Sequence, residues 1–375
     1  MVRLVRTAHL SWVLPFLLLL IGAAFAQTHP DDNRNLGDVA RETREEKRLK
    51  ARDASPHAAH MRELIADMSV NDPEEYAGQM TELLSRQDFD GLEHAADMVR
   101  SKKSRFPGGT WKLYVFYEAV SKPSGGRQAS DADWNAELAL LNHWISRKPQ
   151  SSTARIALAQ AYLGYGSKAR GNGYAGTVTD EGWQGYGGRT AQALSTLKEA
   201  AALPDKCPYW YEAMIQVAVA QGWSKSRTKA LVDESISFEP GFYHVYREYA
   251  NYLQPKWYGT EGEAQAFADS ISQQIGGEEG GFVYFEIATV LNCTPCGNAG
   301  GPANLSWPKI KEGYAALERL YGVSTLKTNR FAFLAAKFGD KSAAKEVFSQ
   351  IGDSWDQSVW TSRQRFEAAK VWAIN

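Results

Sequence analysis

Near the middle of the chain, Phe242, Val245, Tyr246, Tyr249, Ala250 and Leu253 follow one another at i, i+3, i+4, i+7, i+8 and i+11. That is the period of an α-helix with one face turned to a core. Pro255 stops this helix, and Ala264, Phe267, Ala268, Ile271 and Ile275 mark its partner, ended by Gly276 and Gly277. The same signature recurs along the chain. Tyr76, Met80, Leu83 and Leu84 keep helical spacing, and Phe89, Leu92, Ala95, Ala96 and Val99 keep it again. A third helix is predicted from Trp111 to Val120, begun after the Gly108-Gly109 break. Ser151 and Ser152 cap a helix carrying Ile156, Ala159 and Leu163 on one side. Leu194, Leu197 and Ala201 belong to the next, closed by Pro204, and Trp210, Met214, Val217 and Ala218 to another, with Gly222 at its C-terminal cap. Alternating Val/Ile/Thr runs are scarce and tryptophan is frequent, with 12 in the chain. The class is therefore all-α, with aromatic wedges between helices.

The pairs are about thirty residues long. Pro208 and Pro240 open successive units, a spacing close to the tetratricopeptide period. A later stretch fits that pattern more closely. Ala332 and Ala344 take the close-packing small positions, Gly339-Asp340 make the turn, and Phe348 is the aromatic that follows. The expected architecture is a tetratricopeptide-like helical repeat, an α-solenoid of antiparallel helix pairs. A non-repeating helical bundle is the alternative.

The N-terminus reads as an address. Arg3 and Arg6 precede an apolar run from Leu14 to Ile21, and Ala24-Phe25-Ala26 supplies small residues where a signal peptidase cuts. Residues 1–26 are therefore expected to be a cleaved signal peptide. The run is about half the roughly 20 residues a membrane span needs, no cysteine follows it, and no later stretch is apolar enough to span. The mature protein is expected to be exported, periplasmic or secreted, with no membrane span. Residues 27–72 form a charged, flexible tether: Arg41 to Lys50 has almost no apolar face. The helical-repeat domain is expected over 73–375. Without the signal the chain keeps 40 basic and 43 acidic residues, a near-neutral balance that gives no reason to expect nucleic acid as a partner.

One interruption stands out between helices ending near Arg170 and starting near Arg189. It carries seven glycines, Gly171, Gly173, Gly176, Gly182, Gly185, Gly187 and Gly188, among Tyr174, Trp183 and Tyr186, read as a long loop over 170–189. Long loops in compact domains are often functional. Tyr174, Trp183 and Tyr186 are placed to stack on a ligand, with charge from Arg170, Asp180, Glu181 and Arg189. The alternative is a loop whose aromatics plug a gap between helix pairs. No phosphate-cradling glycine motif is present.

Cys293-Thr294-Pro295-Cys296 is the sharpest chemical motif. In an exported chain the first expectation is a short-range disulfide between Cys293 and Cys296. Thiol oxidoreductases share the spacing, but they place it after a strand and at a helix N-terminus. Here it follows the helical residues Phe282, Phe285, Ile287 and Leu291 and runs into glycines. Cys207 reads as a buried free thiol. A zinc site would need four ligands, and His57 and His60, three apart, lie in the charged tether. Neither H-E-x-x-H nor the G-x-S-x-G elbow occurs, so no catalytic residue, metal or cofactor is assigned, and the reading leans away from an enzyme.

From about Leu83 to Ile275 the chain resembles a bacterial domain-of-unknown-function family, number 4034. The likeness rests on Trp144, Pro149-Gln150-Ser151, Ala154-Arg155, Ala169-Arg170-Gly171, Cys207-Pro208, Gln221-Gly222-Trp223 and the closing Leu253-Gln254-Pro255-Lys256-Trp257-Tyr258-Gly259. It implies a helical, tetratricopeptide-like fold of bacterial origin and no activity. In that closing motif Trp257 is expected to fold back over the next helix pair, with Lys256 near the orphan carbonyls of the helix end.

Stacked helix pairs offer a surface suited to peptide segments, so the leading expectation is a protein- or peptide-interaction module. A binder or enzyme for small molecules or glycans, using the 170–189 segment, is the alternative. A thiol-redox factor comes third.

Overall fold

The computed structural model describes residues 70–173, 175–293 and 303–375. The expected signal peptide, most of the expected tether with His57 and His60, Tyr174 and Cys296 lie outside the described residues. Among the described residues there are sixteen α-helices and no strand, only one isolated bridge between Arg105 and Trp111.

The helices are α1 (Pro73–Ser85), α2 (Phe89–Ser101), α3 (Lys112–Val120), α4 (Asp131–Arg147), α5 (Ser152–Arg170), α6 (Asp180–Ala201), α7 (Pro208–Ala220) and α8 (Lys225–Phe238). Then come α9 (His244–Tyr252), α10 (Glu263–Ile275), α11 (Gly277–Leu291), α12 (Trp307–Tyr321), α13 (Thr325–Phe338), α14 (Lys341–Ile351), α15 (Gln357–Trp360) and α16 (Arg363–Ile374). Local chemistry sets their ends. Asp72 caps α1, accepting from the amides of Glu74 and Glu75, with Pro73 at the first turn, where its missing N–H costs nothing. Ser130 and Asp133 form a reciprocal capping box on α4. Gly339 closes α13 in the left-handed region and Asp340 at once caps α14.

Two packing relations repeat. Most helices lie against the next in sequence, and α3, α5, α7, α9, α11 and α13 also touch successively, so alternate helices form one row. One core runs through them, and its largest fully buried side chains include Trp111, Trp144, Tyr117, Tyr209, Tyr243 and Phe116. Ala332 and Ala344 are completely buried, as close packing demands, and Phe348 sits with Trp360 and Phe366.

The segment between α2 and α3 reaches far along the chain. Trp111 Nε1 donates to the carbonyl of Gly241 at 2.9 Å, and the amide of Gly108 donates to the carbonyl of Gly322 at 3.1 Å. Arg105 lies over the rings of Trp111 and Tyr321, at 4.9 and 4.5 Å from their centroids. Gly109 has φ +79°, and a Cβ there would come within 2.8 Å of Phe282 Cζ and 2.9 Å of Tyr321 Cδ2. Only glycine meets both conditions at once. A nearest-neighbour repeat has no such contacts; here the start of the domain is tied to α9, α11 and the α12–α13 turn.

Two expectations are corrected. The interruption after Arg170 does not run to Arg189: α6 starts at Asp180, capped by Thr179, leaving nine residues, 171–179, between the helices. The glycines serve close helix approach instead. A Cβ on Gly182 would stand 2.9 Å from the carbonyl oxygen of Ala169, and one on Gly185 3.0 Å from Ala169 Cβ. Trp257, expected to fold back over the next helix pair, keeps an open side. It is 41% exposed, while the neighbouring Tyr258 stacks on Tyr252 at 5.0 Å and donates to the carbonyl of Val219 at 2.7 Å.

Candidate functional site

The residues read as a ligand-binding set in the sequence scatter over the α5–α6 hairpin. Asp180 and Glu181 are exposed in the first turn of α6, where negative charge suits the helix N-terminus. Arg170, at the end of α5, lies 5.5 Å from the Trp183 ring centroid, and Trp183 is 40% exposed. Tyr186 is half-buried and tilted against Trp183 at 6.1 Å. Arg189 turns to the ring of Tyr165 at 3.5 Å, which joins α6 to α5. Arg170 and Trp183 are thus together, while Arg189 serves the hairpin and Tyr174 lies outside the described residues.

A denser set of polar groups lies along the row α3–α7–α9–α11–α13. Its centre is Glu286, a carboxylate with no exposed surface in an otherwise apolar stretch of α11. Arg247 of α9 donates from Nη1 to Glu286 Oε2 at 2.7 Å and to Thr289 Oγ1 at 2.6 Å. Lys327 of α13 donates to the other oxygen, Oε1, from a side chain that is 2% exposed. Arg330, one turn on, holds Nη1 3.8 Å from Glu286 Oε2, beyond hydrogen-bond reach. Three cations share one carboxylate, and two of them stay partly open, Arg247 at 18% and Arg330 at 25% of side-chain surface.

The electrostatics follow from that ratio. Burial alone would raise the Glu286 carboxyl, but Lys327, Arg247 and Arg330 outweigh it and hold it below its usual value. One carboxylate cannot offset three cations, so the most buried cation yields. Burial drives the Lys327 ammonium down to about 7, Arg330 and Arg247 adding to the effect against the pull of Glu286.

Beside this basic cluster lies an acidic one. Glu212 of α7 is 3% exposed, and its Oε2 has no hydrogen-bond partner. Burial pushes its carboxyl well above the usual range, and Glu248 of α9 and Glu118 of α3 push it further against Arg247. Glu248 is raised as well, by burial first. Tyr209 donates to Glu118 Oε1 at 3.3 Å, and Tyr114 has its hydroxyl raised by Glu118 first, then by burial, Glu212 and Glu248. His244 is stacked on Tyr114 at 3.8 Å with a 7° interplanar angle; its Nε2 is buried without a partner. Burial and then Arg247, Lys327, Arg105 and Arg330 hold that imidazole well below its usual value, so it is neutral at pH 7. Tyr114, Glu118, Arg247, Glu248 and Arg330 are half-buried around these closed groups, so an acidic and a basic set of side chains stand side by side.

The helical period missed this set, because charged residues on amphipathic helices read as solvated faces. One signal was present: Glu286 is the lone charge between Phe282 and Leu291.

The cysteines fall elsewhere. Cys293 is disulfide-bonded and follows the C-terminal end of α11, whose partial negative charge disfavours a reactive thiolate. Cys207 is a buried free thiol, 3.5 Å from the Tyr117 hydroxyl, on the wall of a cavity of about 100 Å³ that Ser152, Ile156 and Trp210 also line. Among the described residues no group of three or more His, Cys, Asp or Glu is placed to hold a metal ion, and no helix is long and apolar enough to cross a membrane.

No family model, curated protein or solved structure matches the chain.

Proposed function

We propose that this chain is an exported, tetratricopeptide-like helical module, a row of helix pairs cross-tied by its 105–111 segment beyond nearest neighbours, and that it binds a polypeptide segment in a recess along α3, α7, α9, α11 and α13. The observation that carries the reading is the unequal ratio at Glu286: three cations to one acid, with Arg247 and Arg330 open to the outside. A purely structural ion cluster gains most when its charges balance, because each uncompensated buried charge costs free energy. An anionic group arriving from outside restores that balance. The half-buried ring of Tyr114 adds apolar contact surface next to the charges, as peptide grooves require.

The test is equilibrium binding of a random peptide library to the mature protein and to Arg330→Gln. Retained peptides that are lost from the variant support the reading, and peptides retained equally by both contradict it.

A second reading rests on Trp183, exposed on α6 with Arg170 over its ring. An exposed aromatic of this kind stacks on sugars or small planar ligands. Glycan binding that Trp183→Ala abolishes would favour it over the recess.

A further inference from the structure

We propose that Cys207 is the attachment point of a small thiol: the cavity beside it admits a low-molecular-mass disulfide with two-carbon chains, and thiol–disulfide exchange leaves one half joined to Sγ. The site lies apart from the charged set around Glu286, and the inference does not depend on the polypeptide-binding reading.

The thiol is not needed to start its helix. Cys207 stands at the N-cap of α7, yet its side chain makes no capping bond. Its neighbour is the Tyr117 hydroxyl, 3.5 Å from Sγ, and sulfur is only a weak hydrogen-bonding atom. Cys293 is disulfide-bonded, so Cys207 is the cysteine left over in a chain of three. An odd cysteine beside a disulfide points to pairing with another molecule or to a reactive thiol.

The surroundings select the partner. Cys207, Ser152, Ile156 and Trp210 wall a cavity of about 100 Å³ between α5, α6, α7 and α8. Exposed Asp205, Lys206 and Glu234 line it as well, so it reaches the surface. Trp210 Nε1 donates to the Leu197 carbonyl at 2.8 Å, which fixes the indole wall. Ser152 is 2% exposed, and its Oγ has no hydrogen-bond partner. Leaving such an atom unpaired is costly, and a polar end on the ligand satisfies it. A cavity of ~150 Å³ holds benzene, so this one takes about four non-hydrogen atoms. One sulfur, two carbons and a terminal hydroxyl or amine fill it, the terminal group meeting Ser152. At the mouth Lys206 is turned to the Ala201 carbonyl at 2.8 Å, and the two acids disfavour an anionic ligand. Glutathione disulfide is both too large and negatively charged.

The exchange consumes nothing but the disulfide. Cys207 Sγ gives up its proton and attacks one ligand sulfur; the ligand S–S bond breaks as the Sγ–S bond forms. The other half leaves through the mouth as a thiol and takes up a proton. Excess small thiol reverses the step, so the cavity fills or empties with the ratio of small disulfide to thiol outside.

The experiment exposes the folded mature protein to cystamine, hydroxyethyl disulfide or glutathione disulfide and follows its intact mass. Cys207→Ser and Ala201→Leu run beside it, and urea-unfolded protein gives the rate of the unshielded thiol. The expected result is one adduct from cystamine and from hydroxyethyl disulfide, absent from Cys207→Ser and released by free cysteamine. It forms at least tenfold faster than with glutathione disulfide, a preference that unfolding removes. Ala201→Leu narrows the cavity from a half-buried position and is expected to slow the reaction at least tenfold, with its melting temperature within a few degrees. If that variant fails to fold, the size preference of the wild-type protein decides. Three results overturn the assignment: no adduct on the folded protein while the unfolded one reacts, equal rates with glutathione disulfide, or an adduct that persists in Cys207→Ser.

Discussion

Lys327 and Glu286 meet where α11 and α13 pack together, the ammonium donating to Oε1 with both side chains closed to solvent. Around this pair Arg247 and Arg330 add two further positive charges. Removing the negative charge takes away the counter-ion that Arg247, Arg330 and the protonated form of Lys327 share. Glu286→Gln is therefore expected to cost about 3–5 kcal/mol of folding stability, measured by urea unfolding at pH 7. A loss under about 1 kcal/mol would mean that the cluster is far wetter than its closed geometry implies.

The same pair sets a pH dependence. Lys327 in the folded protein titrates near 7, against an ordinary value of 10.5. Between these values the unfolded chain binds more protons than the folded one, so stability rises with pH across that window. Lys327→Met is expected to remove that rise. Unfolding free energies of both proteins from pH 7 to 10 check it, and parallel curves would contradict it.

Glu212 acts in the opposite sense. Its carboxyl is raised by burial, Glu248 and Glu118, so above its ordinary value of 4.5 the folded state holds the proton more tightly than the unfolded state. Stability from this group is present at low pH and declines as pH rises towards the folded value. Glu212→Gln should flatten that decline and be neutral or stabilising at pH 8. A variant less stable than wild type at pH 8 would show that the ionised carboxylate is needed in the fold.

Gly109 joins the start of the domain to its later helices. Gly109→Val adds a β-branched side chain at φ +79° against Phe282 and Tyr321. Strain and overpacking of this kind each cost about 1–3 kcal/mol, so a fall in melting temperature of several degrees is expected. An unchanged melting temperature would mean that the 105–111 segment is not held against α11 and α12.

At the other end, Asn329 is fully buried on α13. Its Nδ2 donates to the carbonyl of Ser354 at 2.9 Å, while its Oδ1 accepts from Trp360 Nε1 at 2.8 Å and from the amide of Asp356 at 3.2 Å. Asn329→Ala leaves the buried Trp360 indole N–H without its partner, at about 1–3 kcal/mol, and frees the partly buried Ser354 carbonyl and Asp356 amide. Hydrogen exchange should show faster protection loss at Trp360 and α16 than in α1–α6. Uniform exchange rates would contradict a local role.

The helices were largely legible in the sequence because their signals are local. The Ser151 cap, Gly339-Asp340 and the spacing of Phe242 to Leu253 each act within one or two turns, and each stands where a helix begins, ends or faces the core. The 170–189 segment misled for a physical reason. Glycine signals both flexibility and close approach, and only the packing of Gly182 on Ala169 tells which applies. Trp257 misled similarly, since it stays 41% exposed while Tyr258, itself 37% exposed, makes the bond to the Val219 carbonyl. The recess was illegible because its members come from five helices, between Tyr114 and Arg330. A carboxylate such as Glu212 looks like any solvated residue until tertiary packing closes over it.

The most direct test places a photo-reactive phenylalanine analogue at position 114, on the recess, or at position 183, on α6, and irradiates each protein with a random peptide library. The recess reading gives peptide adducts at position 114, competed by unlabelled peptide, and few at 183. Adducts at 183 with none at 114 would contradict it.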